Sequence, residues 1–304
     1  MFLTAVVAYF FLNSLGWRWF IIIVSLPIIP SFLFLCFLPE SPRYLIVSGK
    51  EQDAQKAIKF MADMNNVEIN EDTTVVCKQS EELGEIRVLF EPEYRKETIL
   101  LSIIYFGNIL VFLSLLLFLP LAINSKFCGG DGATPAHVCK ELSQESILKV
   151  IFIVSATMVG VIAGATMSHF TGRIPALRVF AAMAFIGSLL LYKCFSKTVT
   201  IVIFYVIEFS SSGLNIIIWI ILLENYPTHI RTTASGFVNF WGKVGGVMGV
   251  VGVYALFYVS PYLLVTMYTA STLMSLVGAA LFTKETRHLE VQDITDDVIS
   301  DSTT

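Results

Sequence analysis

The feature that most limits how this chain can fold is a series of apolar blocks, each about 20 residues long and free of runs of net charge. A helix needs about that many residues to cross roughly 30 Å of hydrocarbon. Closed β-barrels are the other way to satisfy backbone polar groups in lipid. Their strands alternate polar and apolar residues over about ten positions, and no such alternation is present. A buried soluble core could account for one apolar block, but not for about eight. Composition agrees: 55% of the residues are hydrophobic and 14% charged, where soluble domains carry about 25% charged residues. The sequence therefore predicts an all-α polytopic membrane protein.

The expected spans are residues 1–15, 19–38, 98–123, 147–168, 177–193, 199–223, 235–258 and 262–282. The first is shorter than the roughly 17–25 residues a span requires. It starts without the basic residues or small-residue cleavage site of a signal peptide, so the chain is expected to begin inside a span, as an N-terminally truncated protein. Lys and Arg placement sets the orientation. One side holds Arg43, Lys50, Lys56, Lys59, Lys78, Arg87, Arg95, Lys96, Arg173, Arg178, Arg231, Lys284 and Arg287; the other holds Arg18, Lys126, Lys140, Lys149, Lys193 and Lys197. The long loop at 39–97 and the C-terminus are therefore expected in the cytoplasm.

Within that loop, Ser48 and Glu51 have capping-box spacing, followed at helical intervals by Ala54, Ile58, Met61 and Asn65. A short amphipathic helix is expected there, and a second helical stretch over 81–94. The loop on the opposite side contains Cys128 and Cys139 in a Gly-rich stretch. An extracytoplasmic loop is oxidising enough for a disulfide between them. The five cysteines are too scattered for a metal site. There is no basic stripe for nucleic acid, no phosphate-cradling Gly loop followed by Lys and Ser or Thr, and no nucleophile–base constellation. No enzyme and no cofactor are implied.

Three spans end in charged motifs. Pro39-Glu40-Ser41-Pro42-Arg43 closes the second, Glu224-Asn225-Tyr226-Pro227-Thr228-His229-Ile230-Arg231 the sixth, and Lys284-Glu285-Thr286-Arg287 the eighth. In these motifs and their spacing the chain resembles the major facilitator superfamily, whose half-end signatures read P-E-S-P-R, E-x-x-P-T-x-x-R and P-E-T-K. Lys284 stands where the last has proline. The resemblance implies spans five to twelve of a twelve-span carrier. Residues 1–38 would then be the last two spans of the first half, 39–97 the central loop, 98–283 the C-terminal six-helix bundle and 284–304 an acidic tail. It also implies that Glu40, Arg43, Arg173, Glu224 and Arg231 form a cytoplasmic charge network that latches one gating state. The loop after the fourth span should read D-R-x-G-R; here it is His169-Phe170-Thr171-Gly172-Arg173, with histidine where the anchoring acid belongs.

Finer features are similar to the synaptic vesicle two-related proteins and neighbouring organic ion carriers. These are Gly16-Trp17-Arg18-Trp19, Leu89-Phe90-Glu91-Pro92-Glu93-Tyr94-Arg95 and the Cys128/Cys139 loop. The sugar-porter elements of the third and sixth spans are missing: Ile104-Tyr105-Phe106-Gly107-Asn108 replaces one of them. The resemblance suggests a secretory or synaptic-like vesicle, or the plasma membrane.

Two ionisable residues lie well inside spans, Lys243 in the seventh and Glu208 in the sixth. Such groups are functional candidates by default. By resemblance to organic ion carriers, the position of Lys243 faces the central cavity and would attract an anionic solute, with Trp241 or Tyr105 available for stacking. Lys243 could instead snorkel to the cytoplasmic face or form an ion pair. Glu208 is a candidate proton or cation site, an acid snorkelling outward, or a structural partner of Asn215. The expected function is transport of a small organic solute, an organic anion first, by alternating access. The alternatives are a non-transporting ligand-binding or regulatory membrane protein and, further off, a sugar uniporter.

Overall fold

The computed structural model describes residues 2–35, 37–65, 86–124, 144–193, 195–257 and 259–285. Its helices are α1 (Phe2–Ser25), α2 (Ile28–Leu35), α3 (Pro42–Val47), α4 (Glu51–Asn65), α5 (Arg95–Asn124), α6 (Gln144–Thr171), α7 (Arg173–Leu190), α8 (Lys197–Asn225), α9 (Thr228–Phe257) and α10 (Pro261–Leu281). Among the described residues, seven stretches are long and apolar enough to span a membrane: Ser14–Phe34, Arg95–Phe118, Ile147–Thr171, Arg173–Leu190, Lys197–Asn225, Ile230–Phe257 and Pro261–Leu281. The first expected span is a shorter apolar helix, Phe2–Leu12. Gly16, at φ 78°, breaks α1 just beyond it, in a conformation that a residue with a Cβ rarely adopts. The chain is an all-α polytopic membrane protein.

Apolar burial alone does not drive helices together in lipid, so small residues and short polar contacts must do it. The glycines of α9 lie along α5: Gly245 against the Phe106 carbonyl, Gly249 against the Leu110 carbonyl, and Gly242 against the Tyr105 ring. α6 meets α8 in the same way, and a Cβ added to Gly164 would stand 2.7 Å from the Gly213 carbonyl oxygen. α10 is clipped to α5 by hydroxyls, with Ser271 donating to the Gly107 carbonyl at 2.9 Å and Ser275 to the Ile104 carbonyl at 3.1 Å. Away from these seams the bundle is filled by large rings. Phe118 packs edge-on against Phe204, Phe257 and Tyr268, at centroid distances of 5.7, 5.7 and 6.0 Å.

Among the described residues of segment 39–97, α4 is an amphipathic helix whose buried side is Ala54, Ala57 and Ala62. Met61 and Asn65, expected on that side, are exposed. The capping box is not made: Ser48 ends α3 and donates its hydroxyl to the Leu45 carbonyl at 3.1 Å. The described part of the second expected stretch is a single tight turn, Ile86–Phe90, rather than a continuous helix. Pro92 then interrupts the backbone before α5 begins. Cys128, Cys139 and the acidic tail beyond Glu285 lie outside the described residues.

Candidate functional site

The first candidate is the charged cluster where α6, α7, α8 and α10 end together. Gly172, at φ 104°, turns the chain sharply from α6 into α7. That turn leaves the first backbone N–H groups of α7 without helical partners. Glu285 meets them from beyond α10, accepting from the Arg173 N–H at 2.9 Å and the Ile174 N–H at 3.1 Å. A carboxylate there also complements the positive end of the helix dipole. The Arg173 guanidinium reaches α8, where Nε and Nη2 donate to the two Glu224 oxygens at 3.1 and 2.6 Å. Its Nη1 donates to the Ser168 carbonyl at 2.7 Å. This two-pronged pairing is the strongest geometry available to arginine and a carboxylate.

Arg231 supports the break between α8 and α9, donating Nε to the Tyr226 carbonyl at 3.0 Å. The Tyr226 hydroxyl shares a 2.8 Å hydrogen bond with Thr98, and burial pushes it up to about 12, so it stays a neutral phenol. Of the predicted network, the structure joins Arg173 to Glu224 and places Arg231 at the adjoining helix break. Glu40 is exposed, and among the described residues no ion pair links it to this cluster. Arg43 lies in α3, and its side chain is outside the described set. His169 is exposed and edges the Phe170 ring at 5.3 Å.

Sequence reasoning missed two members of the cluster. Glu285 was visible in the motif after α10, but its target, a pair of backbone amides more than a hundred residues away, leaves no mark in sequence. Arg178, used in the sequence only to set orientation, caps the C-terminus of α10. It donates to the carbonyls of Ala279 at 3.2 Å, Ala280 at 3.2 Å and Phe282 at 3.1 Å.

The second candidate lies mid-span. Lys243 comes thirteen residues after Ile230 and fourteen before Phe257 in its span. At 1.5 Å per residue it stands about 20 Å from either end of that span, beyond the reach of a four-carbon stem. Its side chain is exposed on α9, and among the described residues no carboxylate pairs with it. Trp241 and Lys243 flank Gly242, whose face meets Tyr105. Each is turned about 100° from that contact, in opposite directions, so the two side chains leave opposite flanks of α9. Tyr105 is only 5% exposed and sits edge-on to Trp219, with centroids 6.1 Å apart. The structure thus does not bring Lys243, Trp241 and Tyr105 into one stacking pocket.

Glu208 is 0% exposed, and neither carboxylate oxygen has a hydrogen-bond partner. Ser211, one turn along the same face of α8, has a buried hydroxyl that is also unpartnered. Asn108 of α5 donates its amide to the Ser211 carbonyl at 3.1 Å. Asn215 was the partner suggested for Glu208, but no bond joins them. Glu208 stands between Phe204, which packs on Phe118, and Ser211, which meets Asn108. Lys243 lies near the level of Tyr105. Following α5 between these markers puts the two ionisable groups about 10 Å apart along the bundle. Across that gap, at an effective dielectric constant of about 20, their attraction is no more than about 2 kcal/mol. That falls short of the several kcal/mol needed to bury a carboxylate.

Comparison with known proteins places this geometry in context. The family model for the Major Facilitator Superfamily matches residues 1–250. The chain is 28% identical over 297 residues to the synaptic vesicle 2-related protein of Pongo abelii, covering 95% of this chain and 54% of that protein. It is 26% identical to the putative transporter svop-1 of Caenorhabditis elegans, over 95% of this chain and 57% of the relative. It is 25% identical to organic cation/carnitine transporter 7 of Arabidopsis thaliana, over 97% and 65%. The chain therefore spans little more than half the length of the first two relatives.

Proposed function

We propose a carrier function on one premise: this chain belongs to the Major Facilitator Superfamily. Two of the relatives named above are called transporters, the putative transporter svop-1 and organic cation/carnitine transporter 7, and an enzymatic role is not part of the family. Our finer reading is that the whole protein moves a small organic solute bearing a negative group, and that Lys243 faces that group from α9. The observation that carries it is a lysine held mid-span, exposed on its helix and without a described acidic partner. An ammonium in that position costs roughly 2.5–3.5 kcal/mol unless a counter-charge or water meets it. A substrate anion is a counter-charge that arrives and leaves. Alternating access would move it past this level by rocking one half against the other.

The cytoplasmic cluster supports the gating half of the proposal. Arg173, Glu224 and Glu285 tie the inner ends of α7, α8 and α10 together, so these helices would move as one unit. We place the C-terminus on the cytoplasmic side because the positive charges concentrate there. One relative's name specifies an organic cation or carnitine, so the sign of the solute charge is the point to test. The experiment is uptake of a panel of labelled organic anions, zwitterions and cations into vesicles carrying the full protein. Saturable anion uptake that falls at least tenfold in Lys243→Ala and persists in Lys243→Arg is expected. Uptake confined to cations, or unchanged by Lys243→Ala, would refute the anion reading.

A further inference from the structure

We propose that Glu97 and Asn225 form a site for an alkali-metal cation where α5 begins and α8 ends, with the Tyr226 phenol oxygen as a third ligand. Asn225 is 1% exposed, and neither its amide nitrogen nor its amide oxygen has a hydrogen-bond partner. Glu97, half-buried in the first turn of α5, has one carboxylate oxygen, Oε2, that is likewise buried and unpartnered. An acid in a first turn complements the helix dipole, but that does not explain why one of its oxygens is buried. Buried polar side chains are in large majority hydrogen-bonded, so two unpartnered ones at adjoining helix ends call for a ligand.

The fold brings these groups together. Glu97 and Asn225 directly precede Thr98 and Tyr226, whose hydroxyls share the 2.8 Å hydrogen bond between α5 and α8. Along α5, Glu97 shares a face with Leu101 and Ile104; along α8, Asn225 shares one with Ile218 and Ile221. All four of those neighbours are 0% exposed and belong to one apolar core, so the two polar side chains turn toward the same interior. The Glu97 charge also bears on the Tyr226 phenol. Counting donors then fixes the kind of ligand. Thr98 gives its hydroxyl proton to the Tyr94 carbonyl at 2.8 Å, so in its bond with Tyr226 the phenol is the donor, and the phenol oxygen keeps only lone pairs to offer. Glu97 Oε2, Asn225 Oδ1 and Tyr226 Oη are three acceptors against one amide donor group. A water can donate to two of them, whereas a hard cation takes oxygen ligands throughout and is balanced in charge by Glu97. The nearby guanidinium groups are engaged elsewhere: Arg173 with Glu224, Arg178 with the end of α10, and Arg231 with the Tyr226 carbonyl, at the opposite end of that residue from the phenol.

Bound there, the cation ties the first turn of α5 to the last turn of α8, whatever solute the carrier moves, so the test needs no solute. Thermal unfolding of the purified 304-residue chain in detergent would be followed in sodium, potassium and choline chloride at equal concentration. Choline matches the ionic strength but is too large to be held by three converging oxygens. A ligand bound by the folded state alone raises the melting temperature, and the rise grows with its concentration. We expect sodium or potassium to raise Tm by several degrees over choline, and that difference to vanish in Asn225→Leu and in Glu97→Gln. In choline, Asn225→Leu should unfold no lower than the wild type, because it removes an unpartnered buried amide; a lost cation response is then not lost folding. Asn225→Asp keeps the shape of the side chain and adds a charged oxygen ligand, so it should enlarge the difference between the salts. Equal melting temperatures in all three salts would overturn the proposal and leave water as the occupant. A cation response that survives Asn225→Leu and Glu97→Gln would overturn it as well, since the ion would then bind elsewhere.

Discussion

The link between Arg173 and Glu224 can be separated from the cap that Glu285 provides, although all three charges crowd one corner. Arg173 and Glu224 are joined by two hydrogen bonds, and their side chains are only 16% and 25% exposed. That is too buried for the near-zero contribution of a surface pair. Charge-assisted bonds in such a setting contribute about 1.5–3 kcal/mol each way of counting. Removing either partner should therefore cost about 2 kcal/mol, and the double variant Arg173→Ala/Glu224→Ala should cost little more than one single change, giving a coupling energy of about 2 kcal/mol. Glu285 behaves differently. It accepts from the backbone N–H groups of Arg173 and Ile174, which survive when the Arg173 side chain is cut back. Glu285→Ala should cost about 1 kcal/mol, the usual worth of a helix cap, and the same amount in the Arg173→Ala background. The assay is thermal unfolding of the purified protein in one detergent, converted through chemical denaturation of the same variants. A coupling below about 0.5 kcal/mol for Arg173 with Glu224, or one as large for Arg173 with Glu285, would refute this account.

Two further substitutions test the turns and seams. Gly172→Ala forces a Cβ into a φ of 104° and to 3.0 Å from a Glu285 oxygen, so it should destabilise by about 1–3 kcal/mol and abolish the separate effect of Glu285→Ala in the same unfolding assay. Gly245→Leu drives a side chain into the Phe106 carbonyl; the fraction of monodisperse protein recovered in size-exclusion chromatography should fall severalfold, whereas Gly236→Leu, with open space around its α-carbon, should be recovered like the wild type.

The helices were legible in sequence because span length is fixed by the bilayer, and that constraint acts on hydropathy residue by residue. Their true ends were less so. α9 begins at Thr228, before the residue 235 expected from hydropathy, because Pro227 and the Arg231 contact start the helix in a polar stretch. The same difference moves Lys243 from about a third of the way along its expected span to its middle, which lengthens the path it would have to snorkel. Gly242, Gly245, Gly246 and Gly249 of α9 have the three- and four-residue spacing that lets helices touch closely, and they do meet a neighbour. Nothing in that spacing named α5 as the neighbour, since helix pairing is decided across long stretches of chain. Lys243 with Trp241 came from resemblance to organic ion carriers; on a helix, residues two apart leave by opposite sides. The Arg173–Glu224 pair was foreseen through motif resemblance. The cap from Glu285 was not, because backbone amides have no identity that a motif can encode.

The seams of this bundle differ in what joins them, and the difference says where it can give. α5 meets α9 and α10 through glycine against backbone and through hydroxyls onto carbonyls, and α6 meets α8 through Gly160 and Gly164. Such contacts have one low-energy register, since sliding either helix drives backbone into backbone. α5 meets α8 through side chains: Tyr105 on Trp219, Asn108 on the Ser211 carbonyl and Phe118 on Phe204. Side chains can change rotamer and reseal, so this seam is the one able to open without breaking the others. It is also where Glu208 is buried. Asn108→Ala removes its hydrogen bond to the Ser211 carbonyl, worth about 1 kcal/mol, and should speed amide hydrogen exchange several-fold around residues 208–215 of α8 while leaving α9 around Gly245 unchanged. Equal acceleration in both segments, or in neither, would mean that the bundle yields as a single body and that Glu208 has no private route to water.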